Sequence, residues 1–501
     1  MSRDKIGLQI RTELFDHGVF PCPQRLNQSS IVNLVKSLYL SASHDGKITI
    51  SQWAEAAIKQ LSLTLQEAEI YFELFRSLAY ERKPQQPIID IKPFAIFLIL
   101  QLYSTATTRI SLENASSLTS KFNSDGPGFS ASGTYPSPAS SPRAKAVRGF
   151  LFSQPASDFQ MSHQFVKSNL KLLMKVISAD LQAAEVALTS TEFNSLGFLC
   201  IPTTGTPEVP ISRMVPFYQT KPQTARVHSD DLSEWINRKL VCVTNESVAE
   251  RPGVLLLTGL NRSVVIKGQN ECQGKDIRLS NCEESYVYIN TAVKQISMIN
   301  CREVTLYVAA VSKVATMDKC ELCTIALASN MLRVGNSVDC TVYTYSPFPP
   351  VLYGDNRGIT LGPFNVYYPE VIRMLEAAEI PNSSINPKCI HNWSAPIEMN
   401  SEQSGHCFTL LQPKDFFKLV LPSQFGAQNP VLQLTPEEFV SAIRIREEYF
   451  ASIQGAIAKA GLNEEQERRL HLSIQGYFRE WLVSSGHVKG PLELVRMIDQ
   501  E

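Results

Sequence analysis

The stretch ISMINCREVTLYVAAVSKVATMDKCELCTIALASNMLRVGN, residues 296–336, decides the fold. Aligned with its flanks, RLSNCEESYVYIN (278–290), SMINCREVTLYVAA (297–310), TMDKCELCTIALAS (316–329) and RVGNSVDCTVYTYS (333–346) bring Cys282, Cys301, Cys320 and Ser337 into register at spacings of 19, 19 and 17 residues. Each unit closes on a short β-rich run (YVYI, TLYVA, TIALA, TVYTY), and the later ones are preceded by a second apolar stretch (VKQISMI, VSKVATM, NMLRV). Units this short cannot hold a pair of helices. They fit one turn of a β-solenoid, in which parallel strands stack about 4.8 Å apart and each turn leans on its neighbours. GLNRSVVIKG (259–268) reads as an earlier, looser turn. The expectation is a right-handed parallel β-helix over residues 230–371, with about six or seven turns at the roughly 19-residue period.

In that register Cys282, Cys301 and Cys320 form one inward ladder of small apolar side chains filling the corner of successive turns. A metal needs ligands converging from different directions, whereas a ladder presents them in one line. The eleven cysteines contain only one closely spaced CxxC pair, Cys320 and Cys323, with no second pair at zinc-ribbon spacing. They read as reduced thiols of an intracellular protein.

On the N-terminal side, residues 1–110 read as a helical domain, because apolar residues recur at helical spacing in IVNLVKSLYL, ISQWAEAAIKQL, AEIYFELFRSLAY and PFAIFLILQLY. Within it, SASHDGKITISQWAE copies the frame of an EF-type calcium loop with Gly46 at the sixth position. Ser41, Ser43 and Gln52 stand where carboxylates are needed, so the segment reads as a turn that binds no calcium. Residues 111–160 are rich in Ser, Gly and Pro and read as a flexible linker. Residues 161–229 read as a helical block followed by a Pro-rich connection.

Residues 372–501 return to helices. Thr435, Pro436 and Glu438 mark a helix start, and Gly461 and Gly486 mark stops. The stripes Ile443, Phe450, Ile453, Ile457 and Leu470, Ile474, Phe478, Trp481 read as the core of a small helical bundle. The fold class is thus α+β and multidomain, a parallel β-helix flanked by N- and C-terminal helical domains.

The formal net charge of −1, with no long run of one sign, removes the electrostatic footprint that nucleic acid or anionic lipid requires. The charges scattered through MSRDKIGLQIRTELF do not suit a secretory signal. The most apolar stretch, Phe94 to Leu102, falls far short of the roughly 20 residues that span a bilayer. A cytoplasmic protein without a transmembrane segment is expected. There is no HExxH, GxSxG, phosphate loop or GxGxxG, so neither ordinary enzyme chemistry nor a cofactor or metal is expected. A carbohydrate-active β-helix would need clustered carboxylates or basic residues on one face, which the sequence does not present.

The repeats, together with the closing YGDNRGITLGPFNVYYP (353–369), make this chain resemble the tubulin-binding-cofactor-C family with its C-CAP/cofactor C-like domain, and within it the group of TBCC domain-containing proteins. Gly354, Asp355 and Asn356, followed by Leu361 to Asn365 with Pro363 among them, carry the more specific part of that likeness. The resemblance implies a cytoskeletal interaction protein of centrosomes, basal bodies or spindle poles that positions organelles such as the Golgi and maintains cell shape. Its partners would be proteins: tubulin, an Arf-like GTPase or centrosomal components.

Members that act on GTPases, namely tubulin cofactor C and the retinitis-pigmentosa GTPase-activating protein, insert an arginine from a late solenoid strand into the nucleotide site, where a guanidinium stabilises charge spread over the γ-phosphate. In register that position is Arg333 here. The Gln that active members carry two residues earlier is Met331, and the group resembled lacks GTPase-activating function. Two roles for Arg333 follow: an arginine finger, which would make the chain a GTPase activator or tubulin-folding cofactor, or a solvated side chain on an outward strand face.

Overall fold

The computed structural model describes residues 6–104, 155–422 and 434–484, apart from 24, 82–85, 179, 184, 204–208, 220–224, 245–247, 249, 250, 252, 369, 382–387, 400–406 and 420. Most of the Ser/Gly/Pro linker, the stop at Gly486 and the side chains of Phe478 and Trp481 lie outside these residues. The description falls into two compact units, Met1–Pro436 and Glu437–Glu501.

Twelve strands form the solenoid, all paired in parallel. They are β1 (Val254–Thr258), β2 (Val264–Lys267), β3 (Asp276–Ser280), β4 (Tyr286–Val293), β5 (Gln295–Ile299), β6 (Thr305–Asp318), β7 (Thr324–Gly335), β8 (Thr341–Tyr345), β9 (Val351–Tyr353), β10 (Ile359–Pro363), β11 (Ile397–Met399) and β12 (Phe408–Leu410). One face stacks β2, β4, the first half of β6, the first half of β7, β8, β10 and β12. A second face stacks β1, β3, β5, the second halves of β6 and β7, β9 and β11. The result is a parallel β-helix of about six turns.

The corner between the faces explains the repeat. In four successive turns two residues three apart take the left-handed conformation: Asn281 and Glu284, Asn300 and Glu303, Lys319 and Leu322, Asn336 and Asp339. Asparagine adopts that region more readily than most side chains, which accounts for its recurrence at the first of these positions.

The solenoid departs from the expected bounds at both ends. Residues Ser229–Lys239 are a helix, and the first strand begins at Val254, because SDDLSEWINRK has helical spacing and an acidic first turn. At the other end, β11 and β12 add themselves to β9 and β10 after a long excursion, beyond Val371.

Ahead of the solenoid come α1 (Glu13–Gly18), α2 (Gln28–Ser41), α3 (Ile50–Leu61), α4 (Leu65–Ala79), α5 (Ile91–Leu100), α6 (Pro155–Ser168), α7 (Leu170–Ile177) and α8 (Ser229–Lys239). Capping boxes start α2 at Asn27, α3 at Thr49 and α4 at Thr64, each satisfying backbone donors that the first turn leaves open. The calcium-loop frame is a turn between α2 and α3, with Gly46 at φ +69° and the short strand Lys47–Thr49 paired antiparallel with Ile88–Asp90. Gln52, which stands where a calcium loop needs its bidentate glutamate, caps α3 together with Thr49. Helices from both sides of the linker share one core: Trp53, Phe72, Phe75 and Phe97 lie in the same buried cluster as Leu170, Leu173, Phe193 and Trp235.

That cluster extends onto the second solenoid face through Val314, Met331, Val351, Tyr353 and Met399. After the main strands, α9 (Val371–Ala377) covers the solenoid elsewhere, with Tyr368, Met374 and Leu375 packed against Tyr307, Ala309 and Tyr345. Among the described residues no helix is long and apolar enough to cross a membrane.

In the second unit, α10 (Glu437–Lys459) and α11 (Glu464–Ser484) form as the spacing predicts. The expected bundle core does not: the helices do not pack along one another, and Phe450, Ile453 and Ile474 are exposed.

Candidate functional site: the covered face around Arg333

Parallel pairing in register places Arg278, Ser297, Thr316 and Arg333 side by side on successive turns of the second face. Alternate residues of these strands point inward, so this row points away from the solenoid axis. The row is nonetheless buried, because α1 and the residues after it lie along it. Asp16 accepts from Arg278 at 2.8 and 2.9 Å and lies 3.5 Å from the Ser297 hydroxyl. His17 Nδ1 is 2.8 Å from Thr316 Oγ1.

Arg333 completes the row and is 0% exposed. Its guanidinium donates to the backbone carbonyls of His17 and Val19. It lies over the ring of Phe20, 4.2 Å from the centroid, and over that of Tyr353 at 4.7 Å. Guanidinium is the cation that tolerates such a place, being weakly hydrated, planar and able to stack while its edge donates. Burial lowers its pKa from the ordinary value, with Tyr353 and Asp318 opposing. Burial, and then the Arg333 charge, lowers the His17 pKa to about 3, so its ring is neutral.

This placement corrects the reading of Arg333 as a solvated side chain. It also explains Met331, which belongs to the same apolar cluster as the N-terminal helices. A glutamine amide there would need hydrogen-bond partners in a dry interface.

The slot for Tyr353 exists because residue 335 is glycine: a Cβ there would stand 2.3 Å from the tyrosine ring. Tyr353 in turn donates to Asp318 Oδ1 at 3.3 Å. Further contacts tie the helical part to the solenoid nearby, where Lys313 Nζ donates to the Tyr80 carbonyl at 2.9 Å and Lys294 pairs with Glu81 at 3.0 Å.

Cys282, Cys301 and Cys320 lie buried in one column at the corner, and Cys323 and Cys340 lie buried at the next inward corner position. Burial pushes the Cys320 thiol well above its ordinary pKa. Among the described residues no group of three or more His, Cys, Asp or Glu is arranged to hold a metal. The column ends in polar residues that are satisfied internally. Ser337 Oγ accepts from the Cys320 amide and donates to the Gly335 carbonyl. Asn356 accepts from the Ser337 amide and donates to the Val334 and Tyr353 carbonyls.

Gly354 sits at φ +70°, where a Cβ would meet Asn336 Oδ1 at 2.3 Å. Asp355 is exposed and pairs with Arg357 at 2.9 Å, and Pro363 is buried at the end of β10. These residues shape the corner and do not converge on Arg333 as a reactive group.

The sequence reading missed Asp16, His17 and Phe20. Nothing local marks TELFDHGVF as the cover of a strand face. The one available signal was Met331, an apolar residue on a strand position that faces outward.

A parallel solenoid with this corner places the chain among β-helical proteins, and residues 274–392 match the family described as tubulin binding cofactor C. Over that segment the chain is similar to members of that family. It is similar to TBCC domain-containing protein 1 of Danio rerio, 26% identical over 48% of this chain and 41% of the relative. The counterpart in Rattus norvegicus is 22% identical over 50% of this chain and 43% of the relative, and that in Homo sapiens 20% identical over 50% and 44%. The matched region thus spans less than half the length of these curated relatives. Tubulin Binding Cofactor C from Leishmania major aligns over 32% of this chain and 89% of its own, with 12% identity and a TM-score of 0.22.

Proposed function

We propose that this chain is a non-catalytic, cytoskeleton-associated protein that acts through protein contacts of its β-helix, with tubulin as the partner class that its family suggests. The observation that carries the reading is the burial of Arg333 beneath Phe20, with its donors committed to the His17 and Val19 carbonyls. A finger must reach a nucleotide outside its own protein, and its stabilising effect depends on donors free to meet the transferring phosphoryl group. Within this reading fall a location at centrosomes, basal bodies or spindle poles and a part in organelle positioning and cell morphogenesis.

Purified chain incubated with GTP-loaded tubulin or Arf-like GTPases tests the proposal. Co-sedimentation with tubulin and unchanged hydrolysis rates are expected. Acceleration by the wild-type chain would sink the non-catalytic reading, and its loss in an Arg333→Ala variant shown to remain folded would assign it to that residue.

A further inference from the structure

Among the described residues, the two longest helices are also the least buried. On α10, Ile445, Tyr449, Phe450 and Ile453 are exposed, and on α11 so are Ile474 and Tyr477, at 38–75%. Only Phe439 and Ile443 of α10 are buried, and near the intervening turn Ile457, Leu462 and Leu470 are half-buried. Helices in water owe most of their stability to packing of an apolar face, so two helices that leave theirs open need something to cover it.

We propose that the cover is a second copy of this chain, and that α10 and α11 form the interface of a two-fold homodimer in which four helices enclose the stripes. Taking on the order of 200 Å² for a large side chain fully open, the six residues leave roughly 700 Å² uncovered. That approaches the about 800 Å² per partner that a specific, stable interface buries.

The charges permit a like copy. On α10, Glu437, Glu438, Glu447 and Glu448 are offset by Arg444, Arg446 and Lys459, so identical surfaces meet without strong net repulsion. An antiparallel approach sets the acidic first turn of one α10, Glu437 and Glu438, against the basic last turn of the other at Lys459. A two-fold axis satisfies both ends at once, which a single covering strand or peptide would not do.

Light scattering on the eluting full-length chain at micromolar concentration tests this. A mass twice the 55.9 kDa of the chain is expected. Phe450→Glu combined with Ile474→Glu should return the single-chain mass with unchanged far-ultraviolet circular dichroism, and Leu40→Glu, at an exposed site on α2, should leave the dimer intact. If the glutamate pair lowers helicity, Phe450→Ala with Ile474→Ala keeps helix propensity and should weaken association at least tenfold. A wild-type chain of single mass, or a dimer unaffected by both double variants, would overturn the proposal.

Discussion

The guanidinium of Arg333 stacks on the ring of Phe20, 4.2 Å from its centroid, so the solenoid arginine is an anchor for the N-terminal segment. Replacing it by alanine removes the stacking partner of two rings, opens a cavity and leaves the His17 and Val19 carbonyls without donors. Arg333→Ala should therefore destabilise the protein by about 3 kcal/mol or more. Arg333→Lys should recover little, because an ammonium cannot stack between rings while serving two carbonyls. Urea unfolding at constant slope measures this. A loss of less than about 1 kcal/mol is what an exposed arginine would give, and would contradict the anchor.

The second prediction concerns the slot beneath Tyr353. Gly335→Ala puts a methyl group 2.3 Å from the tyrosine ring and should cost roughly 1–3 kcal/mol through overpacking. In a Tyr353→Ala background the same change should cost far less, since the clashing ring is gone. A double-mutant cycle reads the coupling directly, and additive effects would show that the two positions do not meet.

The cysteine column gives a third. Cys301→Asp puts a carboxylate into a column whose neighbours above and below are Cys282 and Cys320, all buried, and should unfold the solenoid. Cys301→Ser should be far milder, because the Sγ already lies 3.4 Å from the Ile299 carbonyl and a hydroxyl can donate there. Retained cooperative thermal unfolding in the aspartate variant would mean that the column tolerates charge.

These variants mark where sequence was enough and where it was not. The register of Cys282, Cys301 and Cys320 is local information repeated, so it revealed the solenoid, its period and its inward corner. The contacts of Arg333 are made with His17, Val19 and Phe20 at the far end of the chain, and no periodicity links the two segments. Strand alternation told which residues of β7 point outward; it could not tell that outward meant another part of the same chain. Likewise β11 and β12 are three-residue strands with no repeat signature, and only the open edge of β9 and β10 defines them. The α10 and α11 stripes were legible as apolar faces, but periodicity does not say what covers a face.

His17 gives the last prediction, a pH dependence whose sign follows from its burial beside Arg333. Its pKa is lowered to about 3 in the folded chain, against 6.5 for the free ring. Between those values the unfolded chain binds a proton that the folded chain excludes. The neutral-ring contribution is therefore complete above pH 6.5 and is lost as pH falls toward 3, with a limiting slope of about 1.4 kcal/mol per pH unit. Asp276 works in the opposite sense, because burial raises its pKa from 3.8 to about 6, and its protonation favours the folded chain over that window. Comparison with His17→Gln, which can still hydrogen-bond Thr316 and does not titrate, cancels Asp276 and isolates the imidazole. The melting temperature of the wild type should fall relative to that of His17→Gln as pH is lowered from 7.5 to 5, while the difference stays constant above pH 7. A difference independent of pH across the whole range would mean that His17 can be protonated in place, and that the α1 cover over the Arg333 row is open to water.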